Sequence, residues 1–164
     1  MKGQLFTSDA VTATIIITLS IITLTGGYWH FYKETLNRQS IQSLEQKAYL
    51  VSQVLTQTAG NPENWSESDI ISIGLLDEDG HLSTGKLDGL ETFNYSFLKT
   101  LTGTGNYEIN VTVMDLSGNV QYSVGESFTL NDTVVTETRY LENSNMEEWM
   151  VRTSVWIRPY QIEK

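Results

Sequence analysis

The chain opens with an uninterrupted apolar segment. From Leu5 to Tyr28 there are 24 residues, and Asp9 is the single charged one. As a helix that rises about 1.5 Å per residue, this segment would be roughly 36 Å long, enough for a hydrocarbon core of about 30 Å. Its six threonines can bond back to the helix backbone. The pattern predicts a transmembrane helix over residues 4–28, with a buried core helix as the less favoured alternative.

An aromatic cluster follows the apolar segment directly. Tyr28, Trp29, Phe31 and Tyr32 have the composition of a belt at a membrane–water interface. The apolar run is too long for a cleaved secretory signal and lacks an A-x-A-like site, so we expect the mature protein to keep this helix. Basic residues lie on both sides of it, at positions 2, 33 and 38. The distribution of charge therefore leaves the orientation open.

A second helical pattern continues from the first. Residues 34–58 contain neither Gly nor Pro, and apolar residues recur every three or four positions, at Ile41, Leu44, Ala48, Val51 and Leu55. This spacing predicts an amphipathic helix over residues 29–59. Its stripe packs against the protein's own β domain or, alternatively, against neighbouring helices in an assembly. Between the two patterns, residues 26–27 are both Gly, which allows a bend or a close approach of helices.

Residues 60–164 have the pattern of a small β-rich domain. Gly60-Asn61-Pro62 predicts the end of the helix, with Gly60 as its cap. A strand is predicted over 70–76 and short helices over 85–101. Alternating apolar positions predict two hairpins, from 107–113 with 120–124 and from 134–141 with 149–157. In the last strand the predicted inward residues are Trp149, Val151, Thr153, Val155 and Ile157.

The order of these elements predicts the fold class. A long helix followed by antiparallel strands is an α+β arrangement, in which a meander sheet covers the second half of the helix. The formal net charge is −10, and it falls entirely after residue 28 because Lys2 and Asp9 cancel. Nucleic acid and anionic lipid are therefore poor partners for this domain. The chain has no cysteine, which excludes disulfides, thiolate metal sites and cysteine catalysis.

Candidate catalytic or metal-binding residues are sparse. The two histidines, His30 and His81, stand apart in the sequence, and one ligand does not make a metal site. Residues 77–80, Asp-Glu-Asp-Gly, begin like a calcium loop but lack its later ligands, so a β-turn is the better interpretation. The sequence contains no phosphate loop and no G-x-S-x-G elbow. We expect no enzymatic activity, no cofactor and no metal site.

Four N-x-[ST] sequons lie in the predicted extracellular β-rich domain of residues 60–164, called the outer domain below. They are at Asn64, Asn94, Asn110 and Asn131. A chain rich in Asn, Ser and Thr produces some sequons by chance. As a set, they are consistent with an N-glycosylated protein of the cell surface.

The first residues resemble a known family. Lys2-Gly3-Gln4, followed by residues 5–10, Leu-Phe-Thr-Ser-Asp-Ala, resembles the class III signal sequence of archaeal type IV pilin-like proteins. The resemblance implies that a prepilin-type signal peptidase removes a leader of residues 1–3 by cutting between Gly3 and Gln4. It also implies that the retained helix becomes the core of an extracellular filament.

A second stretch is similar to a run found in archaeal pilin-like surface proteins. It comprises residues 55–65, Leu-Thr-Gln-Thr-Ala-Gly-Asn-Pro-Glu-Asn-Trp, then Ile73-Gly74-Leu75 and Lys86-Leu87. The resemblance implies that the long helix ends at a Gly-x-Pro turn and that Trp65 folds back onto it.

The acidic residue of the signal sequence departs from the family pattern. The family usually has its acid at the fifth mature position, which is Ser8 here, whereas the carboxylate follows at Asp9. The family role of that acid is to pair with the N-terminal amine of a neighbouring subunit and so fix its register. The alternative is local, because Thr7 or Ser8 can cap the helix and place Asp9 near its positive end.

Together these features predict a structural subunit of a cell-surface type IV pilus-like filament, major or minor, that supports adhesion or surface attachment. Its predicted partners are the signal peptidase, the membrane and copies of itself or of other pilin-like subunits. The alternative is a single-pass membrane anchor that carries an extracellular binding domain and does not polymerise.

Overall fold

The computed structural model describes residues 2–66 and 68–158, with side chains from residue 8 onward. One helix, α1, runs from Lys2 to Gln57. The chain divides into two compact units, the residues up to Ser40 and those from Ile41 onward. The second unit contains the sheet, so the predicted α+β class is confirmed.

Two short helices follow α1, as predicted. The first, α2, spans Thr84–Thr92, and the Ser83 side chain caps it by accepting a hydrogen bond from the Lys86 amide. The second, α3, spans Tyr95–Thr102. The Asn94 side chain caps its start, and Gly103, at a φ of 61°, ends it in the left-handed conformation that glycine adopts without a steric penalty.

Both predicted hairpins are present, but the sheet is not a meander. The strands are β1 (Glu108–Asp115), β2 (Val120–Gly125), β3 (Thr133–Glu142) and β4 (Glu148–Ile157). Their spatial order is β2-β1-β4-β3, and all neighbours are antiparallel. The two strands richest in buried residues, β1 and β4, therefore pair at the centre. A meander would have left β1 and β4, the most apolar strands, at the edges.

The amphipathic stripe of α1 packs against this sheet, as predicted. Leu44, Ala48, Val51 and Leu55 are all buried and belong to the hydrophobic core. The sheet contributes residues at alternate positions of its two central strands, namely Ile109, Val111, Val113, Val151 and Val155. The C-terminal part of the helix, from Leu44 to Leu55, therefore belongs to the core of the domain.

Two side-chain positions in the sheet differ from the alternation in the sequence. In β2, a register shift places Val120 opposite Met114, and this bulge leaves Val120 exposed. In β4, Ile157 is exposed, whereas Trp156 is fully buried. Trp156 packs edge-on against Phe128, at a centroid distance of 5.6 Å, so the loop before β3 covers a position that alternation assigned to solvent.

The segment 70–76 is not a strand of the sheet. It lies against the end of α1, where the Leu75 amide donates to the Leu55 carbonyl at 2.9 Å and the Leu76 amide to the Thr58 carbonyl at 3.2 Å. The bond to Leu55 satisfies one of the carbonyls that every helix leaves free at its C-terminus. The contact requires glycine at 74, because a Cβ there would lie 2.3 Å from the Thr58 carbonyl oxygen. Since α1 ends at Gln57, the prediction of Gly60 as its cap is wrong.

Candidate functional site

The apolar surface of α1 is the largest feature of the first unit. Within the described residues, one helix is long and apolar enough to cross a membrane, and its apolar stretch is not buried inside the protein. Large side chains point outward along it, with exposed fractions from 54% at Ile15 to 74% at Leu24. In water such a surface would be costly to expose. The helix is therefore compatible with a membrane-spanning segment.

The hydroxyl groups of this segment are satisfied within the helix. Each donates to the backbone carbonyl four residues earlier, at 2.7–3.0 Å, and the donors are Thr12, Thr14, Thr18, Ser20, Thr23 and Thr25. A hydroxyl without a partner costs several kcal/mol in hydrocarbon, about 4–8 on the cyclohexane scale. Because these donors are already bonded, the threonines do not prevent the helix surface from entering an apolar environment.

The predicted aromatic belt forms a compact cluster on α1. The rings of Tyr28 and Tyr32 stack at 6.3 Å, and Trp29 lies 6.4 Å from Tyr32. The Lys33 ammonium sits 5.3 Å from the centre of the Trp29 ring. One turn later, Arg38 donates to Glu34 at 2.7 Å. Aromatic rings followed by paired charges form the transition that a helix makes at a membrane surface.

The residues of the predicted processing site lie at the start of α1. The backbone at Gly3 and Gln4 is helical, while Met1 and the side chains of residues 2–7 lie outside the described part. Asp9 is exposed on the helix surface. The prediction that Thr7 or Ser8 caps the helix is wrong, because α1 already begins at Lys2. Asp9 thus lies about two turns into the helix, beyond the first turn in which a terminal charge acts most strongly.

Three of the four sequon asparagines are exposed, Asn64, Asn94 and Asn131. Asn94 also caps α3, since its side-chain oxygen accepts from the Ser96 amide at 2.9 Å. The fourth, Asn110, is half-buried on the central strand β1. Its side-chain oxygen accepts from the Thr112 hydroxyl at 2.6 Å. The structure therefore leaves the first three more accessible than Asn110.

The residues after α1 pack closely around Trp65. Trp65 is buried, and its indole nitrogen donates to the Gly74 carbonyl at 2.8 Å. Its ring packs 5.5 Å from Phe93, and a Cβ at Gly60 would lie 2.7 Å from it. Trp65 therefore lies over the turn that follows the helix. Sequence reasoning found this residue through the resemblance, but it did not find the partner Phe93.

The Lys86 side chain donates to backbone carbonyls just beyond the end of α1, a role that the sequence did not indicate. It is 6% exposed, and its ammonium donates to the carbonyls of Ala59, at 2.7 Å, and Leu76. Burial lowers the pKa of Lys86, while the negative charges of Glu63, Asp77 and Glu78 oppose that shift. A cation at the C-terminal end of a helix is favourable because the free carbonyls there are negative.

A second polar cluster lies at the start of β1. The Tyr95 hydroxyl donates to the Glu108 carboxylate and accepts from the Ile109 amide at 3.1 Å. Lys99 approaches the same carboxylate at 3.3 Å. Burial and the bond to Glu108 raise the pKa of Tyr95. Burial opposes the ionisation of Glu108, but the bonds from Tyr95 and Lys99 outweigh it and hold its pKa below the ordinary value. The cluster is thus an ion pair with a neutral tyrosine.

A cleft of about 410 Å³ lies beside this cluster, between α3 and β2. Its lining includes Glu91, Tyr95 and Ser123. Ser123 has no imidazole among the lining residues to serve as its base, which nucleophilic catalysis requires. In the described residues no group of three or more His, Asp and Glu side chains is arranged so that it could hold a metal ion. The predicted turn at residues 77–80 is present, with the Asp77 carboxylate accepting from the amides of Asp79 and His81.

Comparison with known protein families, characterised proteins and solved structures gives no match for this chain. The resemblance to pilin-like proteins therefore rests on residues 2–10 and on the stretch from 55 to 87.

Proposed function

We propose that this protein is a structural subunit of a cell-surface, type IV pilus-like filament, cut between Gly3 and Gln4 and assembled through the apolar part of α1. The observation that carries the proposal is the surface of residues 11–25, which is apolar and exposed, with its hydroxyls bonded inside the helix. Such a surface suits lipid before assembly and the same helix of other copies afterwards. Burying it between copies would contribute about 25 cal/mol per Å² of apolar area.

The first residues support this proposal over a permanent anchor. A basic tip, a glycine and an acid near the start of an apolar helix resemble a signal that is cut on the cytoplasmic side. After cleavage at Gly3 the new amine of Gln4 would need a negative partner in an apolar bundle. Asp9, exposed on the same helix, supplies a carboxylate for a neighbouring copy.

The outer domain is proposed to face the exterior and to carry glycans. Exposed sequons at Asn64, Asn94 and Asn131 support this, as does the net charge of −10. A negative, glycosylated surface stays soluble when many copies are crowded along a filament.

The mass of the mature N-terminus tests the proposal. The full chain is expressed in a host membrane that contains a prepilin-type signal peptidase, and its N-terminal peptide is measured by mass spectrometry. We expect a chain that begins at Gln4. Gly3→Val should abolish the cut, whereas the matched change Gly27→Val, at the other end of the apolar helix, should leave it intact.

A chain that still begins at Met1 in the presence of the peptidase would overturn the filament proposal. The protein would then be better described as a single-pass anchor with an outer binding domain. Electron microscopy of the processed chain separates the two remaining roles, because a major subunit forms filaments alone and a minor subunit requires others.

A further inference from the structure

Strand β3 presents an open edge from residue 134 to residue 140. Its inner side pairs with β4 over its whole length. On the other side, the Glu142 carbonyl accepts from the Leu82 amide, so the backbone groups of Glu142 point away from β4. Because these directions alternate along a strand, the same side carries the backbone groups of Tyr140, Thr138, Thr136 and Val134. Within the described part of the chain, no backbone hydrogen bond reaches that side from 134 to 140.

This edge carries charged residues, Glu137 and Arg139, but it lacks three other features that usually block pairing. Thr133–Glu142 contains neither Pro nor Lys, and its register with β4 shows no bulge. Proteins commonly protect an exposed edge with such residues or with a bulge, because an open edge is a template for another strand. The edge is also rich in β-branched residues, which favour strand pairing.

The sequence of β3 is complementary to itself about Thr138. If a second copy pairs antiparallel with the two Thr138 residues opposite each other, residues equally far before and after Thr138 face one another. Glu137 then faces Arg139 of the second copy, and the symmetry makes this pair twice. The neighbouring positions also match, Val135 with Leu141 and Thr136 with Tyr140.

The backbone directions allow this register. Thr138 points its amide and carbonyl outward, so the two copies can exchange hydrogen bonds there. Glu137 and Arg139 then form a non-hydrogen-bonded pair, in which side chains come closest, with Cβ atoms about 4.5–5.5 Å apart. Moving the two-fold axis to residue 137 or 139 would keep the backbone bonds but place Glu137 opposite Glu137 or Arg139 opposite Arg139. Charge therefore favours the register about Thr138.

Both charged residues are available for such a pair. Glu137 takes part in no ion pair among the described residues. The Arg139 guanidinium lies 5.4 Å from the Tyr49 ring, and its Nε is buried without an acceptor. Arg139 also has no ion pair among the described residues, so the carboxylate of a second copy can pair with its guanidinium.

We propose that β3 is a docking strand for β3 of a second copy of this protein. The two-fold axis of such a pair is perpendicular to the sheet, so it reverses the direction of residues 41–57 of α1 between the copies. The contact therefore joins two copies in which residues 41–57 of α1 run in opposite directions. This inference does not depend on the cut at Gly3.

Two variants with reversed charges, Glu137→Arg and Arg139→Glu, test the proposal. The full chain is purified in detergent micelles as two preparations with different fluorescent labels, and their association is followed by fluorescence cross-correlation. We expect the wild-type preparations to associate. Glu137→Arg alone and Arg139→Glu alone each place like charges opposite each other twice and should weaken association about tenfold. A preparation of Glu137→Arg, mixed with a preparation of Arg139→Glu, should associate like the wild type.

The rescue by mixing separates a docking strand from a folding defect, since two misfolded variants cannot complement each other. Arg152→Glu is the matched control, because Arg152 is exposed on the central strand β4 and should have no effect. Absence of wild-type association, or a mixture as weak as its components, would overturn the proposal.

A cross-link provides a second measurement. The chain has no cysteine, so Thr138→Cys introduces a single thiol near the proposed two-fold axis. A short bifunctional maleimide should join two copies through it at least tenfold faster than through Ser144→Cys, in the turn before β4. Equal rates at the two positions would contradict the register.

Discussion

At the scale of single residues, Lys86 shows how one buried charge organises the end of a long helix. Its ammonium bridges the carbonyls of Ala59 and Leu76, so it holds the segment after α1 against the segment before α2. Few lysines are this buried without a direct ionic partner. Burial lowers the pKa of Lys86, and the negative helix end and three nearby carboxylates oppose that shift.

We predict that Lys86→Met destabilises the protein by about 1–3 kcal/mol, because two buried carbonyls lose their donor while the side-chain volume is kept. Urea unfolding, followed by the tryptophan fluorescence of the chain, to which the nearby Trp65 contributes, measures the change. Lys47→Met is the matched control, since Lys47 donates to the Gly103 carbonyl at the surface. A loss no larger than that of the control would show that water replaces the ammonium.

At the scale of elements, α1 changes its character along its length while remaining one helix. The stripe at Leu44–Leu55 is buried, whereas residues 8–25 are exposed on all sides. Gly26 and Gly27 lie between them in helical conformation, and a Cβ at either would meet nothing within 4 Å. Nothing inside the described chain therefore requires glycine at these positions.

We predict that Gly26→Ala and Gly27→Ala each stabilise the helix locally by about 1 kcal/mol, because alanine has the higher helix propensity. Amide hydrogen exchange of residues 26–30 in detergent should slow about fivefold for each change. Ala13→Gly, the reverse change in the same helix, should speed exchange around residue 13. Faster exchange in the alanine variants would contradict an undisturbed helix at these glycines.

At the scale of the whole molecule, the core belongs entirely to the second unit. The first buried residue along the described chain is Leu44, and no residue before Ile41 belongs to the core cluster. The apolar helix surface of the first unit and the packed domain thus serve separate purposes. The domain should not need the first 40 residues in order to fold.

We predict that residues 41–164 alone form a soluble domain with a melting temperature within about 4 °C of that of the full chain in detergent. A difference of that size corresponds to about 1 kcal/mol in a domain of this length. Near-ultraviolet circular dichroism reports the packing of its buried tryptophans, Trp65 and Trp156. Loss of that signal in the fragment would show that the first 40 residues contribute to folding.

Local patterns explain why much of the architecture was predictable. The spacing of Leu44, Ala48 and Val51 determines which face of α1 is buried, and alternation in β1 does the same for Ile109 and Val111. Both periods are properties of the backbone. The hydroxyl bonds of the threonines are equally local, since each reaches one turn back.

Contacts between distant segments could not be derived in this way. Alternation assigned Ile157 to the core and Trp156 to solvent, but the loop that carries Phe128 reverses this. The order β2-β1-β4-β3 depends on which hairpin edges meet, and the sequence contains no local signal for that choice. The same holds for Lys86, whose acceptors lie 10 and 27 residues away.

The sequence by itself determined the apolar helix, its buried stripe, the two hairpins and the absence of cysteine chemistry, because these follow from composition and from backbone periods. The tertiary structure alone decided the strand order, the closure of α1 by residues 73–76 and Lys86, and the exposure of the β3 edge. Each of these depends on which separate segments satisfy each other's hydrogen bonds, and that becomes fixed only when the chain folds.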